Sequence, residues 1–227
     1  MSELEAGADS IRKFLHELDI RIRARYPLIA INTYEEDRVR VALIDLVFQD
    51  RHKEKPLYFW SRPSGLQKVS DSKEGILSSP QTIGDTEDPE SLLGFISEQK
   101  TGIFLLCDYA PYISPYGQED ALLVRRLREI AWKLKSTKAT ILFVGPNFPE
   151  LKTLEKEVTQ IDLDLPKESE IEDSIELQFQ NLRSNGLDIS LTKETQVALQ
   201  QSLLGLTAVE ISNVVAKAVI SCNGLNQ

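Results

Sequence analysis

The chain has 227 residues, 35 acidic against 26 basic, for a formal net charge of −9. That balance argues against a general nucleic-acid binder, which needs positive surface to neutralise phosphates. An apolar fraction of 41% supplies a sizeable core for one large domain or a domain with an appendage. The two cysteines, Cys107 and Cys222, are far apart in apolar surroundings and fit a reducing compartment without a disulfide framework.

Residues 1–10 are polar and acidic, with no signal or transit pattern. No apolar run reaches the roughly 18 residues of a membrane span, so a soluble intracellular protein is expected. Ile11, Phe14, Leu15, Leu18 and Ile22 recur at helical spacing behind Ser10, a candidate N-cap. Five strands are predicted over 28–32, 57–61, 102–108, 140–145 and 161–165. Helices over 35–48, 90–99 and 120–135 fall between most of them. This alternation predicts βαβ units and a five-stranded parallel sheet, and the apolar runs "IFLLC" and "ILFV" suit strands covered on both faces. Residues 71–91 are a polar insertion with room for a short strand or hairpin. "LYFW" at 57–60 reads as sheet core.

After Pro166 the pattern becomes helical. Three helices are predicted, with Gly186 and Gly205 as stops and Thr192 and Thr207 as N-caps, each with a glutamate close behind. The expected division is an α/β part over 1–165 and a small all-α lid over 166–227.

The stretch "ATILFVGPNFPELKTLEKEVTQIDLDLPKESEIEDSI" resembles the strand, Asn-x-Pro, short helix, strand, Leu-Pro and lid helix of an AAA-type ATPase module. "GLTAVEISNVVAKAVI" resembles the opening of the last lid helices, and "GIFLLCDYA" the apolar strand that ends in a metal-orienting acid. With "RYPLIAINTYEEDRV", "PLYFWSRPSGL" and "LVRRLREIAWKLKSTKATILFV", residues 20–225 are similar to the N-terminal half of the plastid and cyanobacterial AAA-type ATPases known as hypothetical chloroplast frame forty-six. The resemblance implies the AAA/P-loop sheet with its helical lid, a half without a working phosphate loop, and a second, ATP-binding module beyond it. Nothing follows Asn226-Gln227, which reads as a fragment or a stand-alone version. ATP and magnesium are then expected only in the missing module, and no cofactor in this chain. A cyanobacterial cytoplasm or plastid stroma is implied as the location. A role in regulating photosynthesis or carbon uptake follows by analogy alone.

The site residues carry this further. A phosphate loop needs glycines that let N–H groups converge, a lysine, and a hydroxyl for magnesium. Between Ile31 and Glu35 neither glycine nor lysine occurs, and Glu35, Glu36 and Asp37 put carboxylates where a phosphate would meet the helix dipole. Asp108 is followed by Tyr109, not by the glutamate that orients the attacking water. "LKTLEKEVTQIDL" offers no arginine finger. Thr33, Asp108 and Asn147 therefore mark a vestigial cleft, Asn147 standing where such modules keep a sensor. No catalytic residue is assigned. His16 and His52 have no partners at metal-ligand spacing, and no hydrolase triad is visible.

Two features bear on partners. "DYAPYISPYGQED" brings Tyr109, Tyr112 and Tyr116 to the carboxyl end of a central strand, either to pack over the vacated cleft or to meet a partner. The helix over 120–135 carries Arg125, Arg126 and Arg128. They form a solvated face, a docking surface for an acidic partner or a second AAA module, or a nucleic-acid contact. Three functions stand: a catalytically silent AAA-like module for interaction and regulation, a nucleotide-binding domain or enzyme with a non-standard cleft, and a stand-alone adaptor that oligomerises.

Overall fold

The structure, a computed structural model, describes residues 10–48, 52–69, 81–184, 186, 189–190, 192–221 and 225–226. It divides into two compact units. One is Phe14–Leu163, and the other comprises the described residues of 1–13 and 164–227.

The first unit holds helix α1 (Ser10–Arg23) from Phe14 onward, then β1 (Leu28–Asn32), α2 (Glu36–Phe48), β2 (Leu57–Ser61), β3 (Gly65–Lys68), β4 (Gln81–Ile83), α3 (Pro89–Ser97), β5 (Thr101–Cys107), α4 (Ala110–Ile113), α5 (Ala121–Leu134), β6 (Lys138–Gly145) and β7 (Val158–Asp162). The seven strands lie in the order β4-β3-β2-β5-β6-β1-β7. All pairs from β2 to β7 are parallel, and β3 and β4 add an antiparallel edge.

The five predicted parallel strands are therefore present, with two more beside them. "GLQK" and "QTI" are short and only partly buried, so they lack the apolar run that marks a strand covered on both faces. Strand β7 begins three residues before its predicted start. Its pairing on β1, with Leu28 opposite Val158 and Asn32 opposite Asp162, uses the β-branched Val158 and Thr159. The alternation from 161 to 165 instead continues into a link. Strand β4 lies in the expected insertion, which had room for a short strand, and residues 71–80 of that insertion lie outside the described residues, as does Cys222.

Alternation sends the side chains of each inner strand to opposite faces. Leu28, Trp60, Phe104, Leu106, Ile141 and Phe143 form one cluster with Leu92, Leu93 and Ile96 of α3 and Leu123, Leu127, Ile130 and Leu134 of α5. Ile29, Ile31, Phe59, Ile103, Leu105 and Leu142 point the other way and are equally buried. Arg40 of α2 lies 4.9 Å over the Phe59 ring on that face. Each such side chain contributes about 1.5–3 kcal/mol on burial, which is why the doubly covered strands were legible. Thr86 fastens the antiparallel edge. Its hydroxyl accepts from Leu66 N–H (2.8 Å), and its carbonyl accepts from the Trp60 indole (2.6 Å).

The other unit contains α6 (Glu168–Ser184), α7 (Lys193–Leu203) and α8 (Ala208–Ser221). Ile171, Ile175 and Phe179 recur every fourth residue, as do Ile211, Val215 and Val219, and they meet Leu203 in one core. Thr207 and Glu210 form a reciprocal capping box, at 2.8 and 3.2 Å. Thr192 accepts from Thr195 N–H. Gly186 and Gly205 have φ of 83° and 86°, the left-handed region expected of helix stops. The unit is not wholly helical, because β8 (Ile189–Ser190) pairs in parallel with β9 (Leu225–Asn226). Ser10 is the first residue of α1, and its N–H (3.0 Å) and hydroxyl (2.7 Å) both donate to the Glu170 carboxylate. The cap at this end therefore includes a carboxylate brought from α6.

Helix α3 carries a cap with a pH signature. Asp88 accepts from Glu90 N–H (3.0 Å) and Ser91 N–H (3.1 Å). These bonds, that from Ser91 foremost, hold its carboxyl below the usual carboxylate range. Asp88→Ala should lower stability by about 0.5–1 kcal/mol at pH 7, the low end for a cap because the group is exposed. A depressed folded pKa stabilises above the unfolded value of about 3.9 and loses that contribution as pH falls through the folded one. Urea denaturation of both proteins should show the full difference at pH 7 and a smaller one at about pH 3.

Candidate functional site at the carboxyl end of the sheet

The strands β1, β5 and β6 end side by side, and their last residues lead into the segments on which the sequence placed its candidates. Strand β1 joins α2 through Thr33, Tyr34 and Glu35 alone. Thr33 N–H donates to Gly145 O (3.0 Å) at the end of β6. Its hydroxyl accepts from Glu35 N–H (3.0 Å). Glu35 is 5% exposed, and its carboxylate pairs with Arg38 one turn on. Glu36 and Asp37 then occupy the first turn of α2. The link is a tight turn fastened by its own side chains.

Next to it, Cys107 ends β5 with its thiol buried near the Glu36 carboxylate, which also meets Arg40 at 3.3 Å. Burial foremost, then the charge of Glu36, pushes the thiol well above its ordinary range. Asp108 follows at φ 51°, the left-handed region that aspartate tolerates, and its N–H donates to Val144 O (3.0 Å). Its side chain is exposed, and no acid follows it. Asn147 is exposed beyond Gly145-Pro146.

Thr33 and Asp108 both hydrogen-bond to the end of β6, through Gly145 and Val144. The polar residue that organises the next strand boundary is Asn32, which sequence reasoning passed over. Its amide donates to Asp162 (3.1 Å) and Gln160 (3.5 Å) on β7 and accepts from Phe148 N–H (3.3 Å). An asparagine closing an otherwise apolar strand was the available signal.

The tyrosine segment is not an open loop. Ala110–Ile113 forms α4, and a 3-10 turn covers Pro115–Gly117. Tyr109 is fully buried, edge-on to Trp60 at 5.4 Å, with its hydroxyl donating to Pro89 O (3.1 Å). Burial raises its pKa. It packs inside the fold and offers no surface to a partner. Tyr112 is half-buried against Trp60 and Tyr109, with Arg62 over its ring at 5.8 Å. Tyr116 is fully exposed at φ 55°, and Tyr34 is 76% exposed.

On α5 most cations have partners. Arg125 pairs with Glu129 (2.8 Å) and lies over Trp132. Arg128 donates to Thr153 O and faces Glu157 at 3.7 Å. Lys133 meets Glu98 at 2.8 Å. Arg126 is exposed and carries no ion pair among the described residues. No group of acids, histidines and cysteines suited to a metal occurs among the described residues, and no helix there is long and apolar enough to cross a membrane.

Residues 14–163 match the family described as SpoVK-like AAA ATPase, N-terminal domain. The chain belongs to that family. The matched stretch has the same bounds as the sheet-bearing unit. The expected kinship with the frame forty-six proteins is borne out. The "Uncharacterized AAA domain-containing protein ycf46" of Trieres chinensis is 26% identical over 211 residues, 91% of this chain and 38% of that protein. The protein of the same name from Guillardia theta is 26% identical over 224 residues, 97% of this chain and 40% of its own length. The chain thus spans about two fifths of the curated relatives it matches. Among solved structures, that of C. elegans PCH-2 superposes with a TM-score of 0.57 at 10% identity, covering 95% of this chain and 64% of the other, which supports the fold.

Cys107 gives this SpoVK-like domain a chemical test. Its buried thiol beside a carboxylate should resist iodoacetamide at pH 8 in the native protein and react once urea unfolds it. Peptide mass spectrometry at that residue reads the difference.

Proposed function

We propose that this SpoVK-like N-terminal domain is a catalytically silent AAA module that serves in protein interaction and regulation beside an ATPase module of the longer polypeptide or of a partner. The observation that carries this reading is the three-residue link from β1 to α2. A triphosphate needs a run of free N–H groups and a cation there. This link offers a Thr33 hydroxyl and Thr33 N–H already engaged, a buried Glu35, and acids in the first helical turn. Like charge would oppose each phosphate at close range. The residues present do not fit ATP with magnesium.

Interaction follows from what remains exposed at the same end of the sheet. Tyr34 and Tyr116 are large and open to solvent, as is suited to contact anchors, and Arg62 stands near Tyr112. Any ATP hydrolysis belongs, on this reading, to sequence corresponding to the other three fifths of the relatives.

The test is calorimetric titration of the chain with ATP and ADP, each with magnesium. No saturable heat that depends on Asp108 is expected. Saturable binding that Asp108→Asn abolishes would overturn the silent reading. Tyr34→Ser with Tyr116→Ser should change stability by less than about 0.5 kcal/mol, while weakening capture of a separately produced ATPase module by at least tenfold.

A further inference from the structure

The opposite end of the sheet has the reverse charge. Before β1 the chain leaves α1 through a Schellman turn, with Tyr26 N–H donating to Arg21 O (3.1 Å) and Arg25 N–H to Ile22 O (3.2 Å). The turn holds Arg25 at φ 61°, a conformation in which glycine is the usual residue and a side chain is strained. Such a conformation persists where the surrounding structure holds it, and it gathers at ligand sites.

Arg25 lines a pocket of about 220 Å³ together with Arg23, Lys55, Lys138, His52 and Thr140. Lys55 precedes β2 and Lys138 opens β6, so three strand starts converge on it. Among the described residues the counter-charge is thin. Asp19 faces the group from α1, but its carboxylate is engaged by Arg23 (3.4 Å) and His52 Nε2 (2.6 Å). Arg25, Lys55 and Lys138 have no ion pair among the described residues. Lys55 is half-buried, and burial, Lys138 and Arg25 together lower its pKa against the opposing pull of Asp19. His52 is 2% exposed, and its Nδ1 is buried without a hydrogen-bond partner. The Thr140 hydroxyl belongs to a residue only 1% exposed.

We propose that this pocket is an anion site for a phosphate group, free or as the head of a small monoester. A tetrahedral dianion offers several acceptor oxygens to converging ammonium and guanidinium donors and relieves their mutual repulsion. The volume exceeds a bare phosphate and leaves room for a short stem. The site lies at the end of the strands remote from Thr33 and Asp108, so it does not depend on whether the AAA cleft is silent.

The test uses the whole chain, with thermal unfolding followed against inorganic phosphate and glycerol 3-phosphate and with sodium chloride at matched ionic strength as the screening control. A saturable rise in Tm is expected with the two phosphates and not with chloride. Preference for glycerol 3-phosphate would assign a monoester, and equal response free phosphate; either supports the site. Lys55→Met and Lys138→Ala should each weaken the response at least tenfold, and Lys138 is exposed, so its variant tests binding apart from folding. Arg25→Gly separates function from structure: it should raise Tm without ligand by relieving the left-handed strain, yet weaken phosphate binding. A response shared by chloride, or unchanged in the two lysine variants, overturns the proposal. If ATP raises Tm and the rise is lost in Lys138→Ala but kept in Asp108→Asn, the nucleotide's phosphates occupy this pocket, not the AAA cleft.

Discussion

Strand β1 is held from both sides, and the chemistry at each end of the sheet follows from that. Its residues pair in parallel with β6 on one edge and β7 on the other, and Leu28 to Ile31 are buried on both faces. A strand so constrained cannot slip by one residue without drawing the polar Asn32 into the buried run and breaking its bonds to Asp162 and Phe148. Asn32 fixes the exit by bonding to β7 and to Phe148. At the entrance Pro27 O accepts from Ile141 N–H (2.9 Å), which leaves the chain only a tight turn to come off α1.

The two ends use that constraint in opposite ways. At the exit the fold follows β1 at once with α2 and spends the helix N-terminus on its own acids. Local stability and phosphate binding compete for the same N–H groups there, and the side chains present satisfy the first. At the entrance the Schellman turn, the His52–Lys55 turn and the start of β6 bring cations together beside Asp19. A net charge of −9 conceals this local inversion, because charge balance over a chain says nothing about where the minority sign collects.

Legibility in the sequence followed burial. The inner strands were readable because each is apolar on both faces, and the last helix because Ile211, Val215 and Val219 repeat every fourth residue behind the capping Thr207. Strand β3 was not, since a strand beside the sheet edge needs no apolar run, whereas β4 falls in the stretch 71–91 that had room for a short strand. The acids at the β1–α2 link were visible as text, whereas their closure by Thr33 and Arg38 required geometry. Tyr109, Tyr112 and Tyr116 lie buried, half-buried and exposed, because Tyr109 precedes α4, Tyr112 is on it and Tyr116 sits in the left-handed turn after it. The anion pocket draws on residues from 22 to 140 in the sequence, so no local pattern could announce it.

The burial of Trp60 has an optical consequence. The chain has two tryptophans, Trp60 and Trp132, and six tyrosines at 26, 34, 58, 109, 112 and 116, all inside the unit bounded by Phe14 and Leu163. Trp60 lies 1% exposed with its indole hydrogen-bonded, while Trp132 is half-exposed beside Arg125. Near-ultraviolet absorption and emission above that of phenylalanine therefore come from the sheet-bearing unit alone, and helical circular dichroism comes from both. The two signals would overlay if the units melt together and part company if they do not. The placement of the aromatic residues makes this two-unit protein a reporter of its own cooperativity, with no added label.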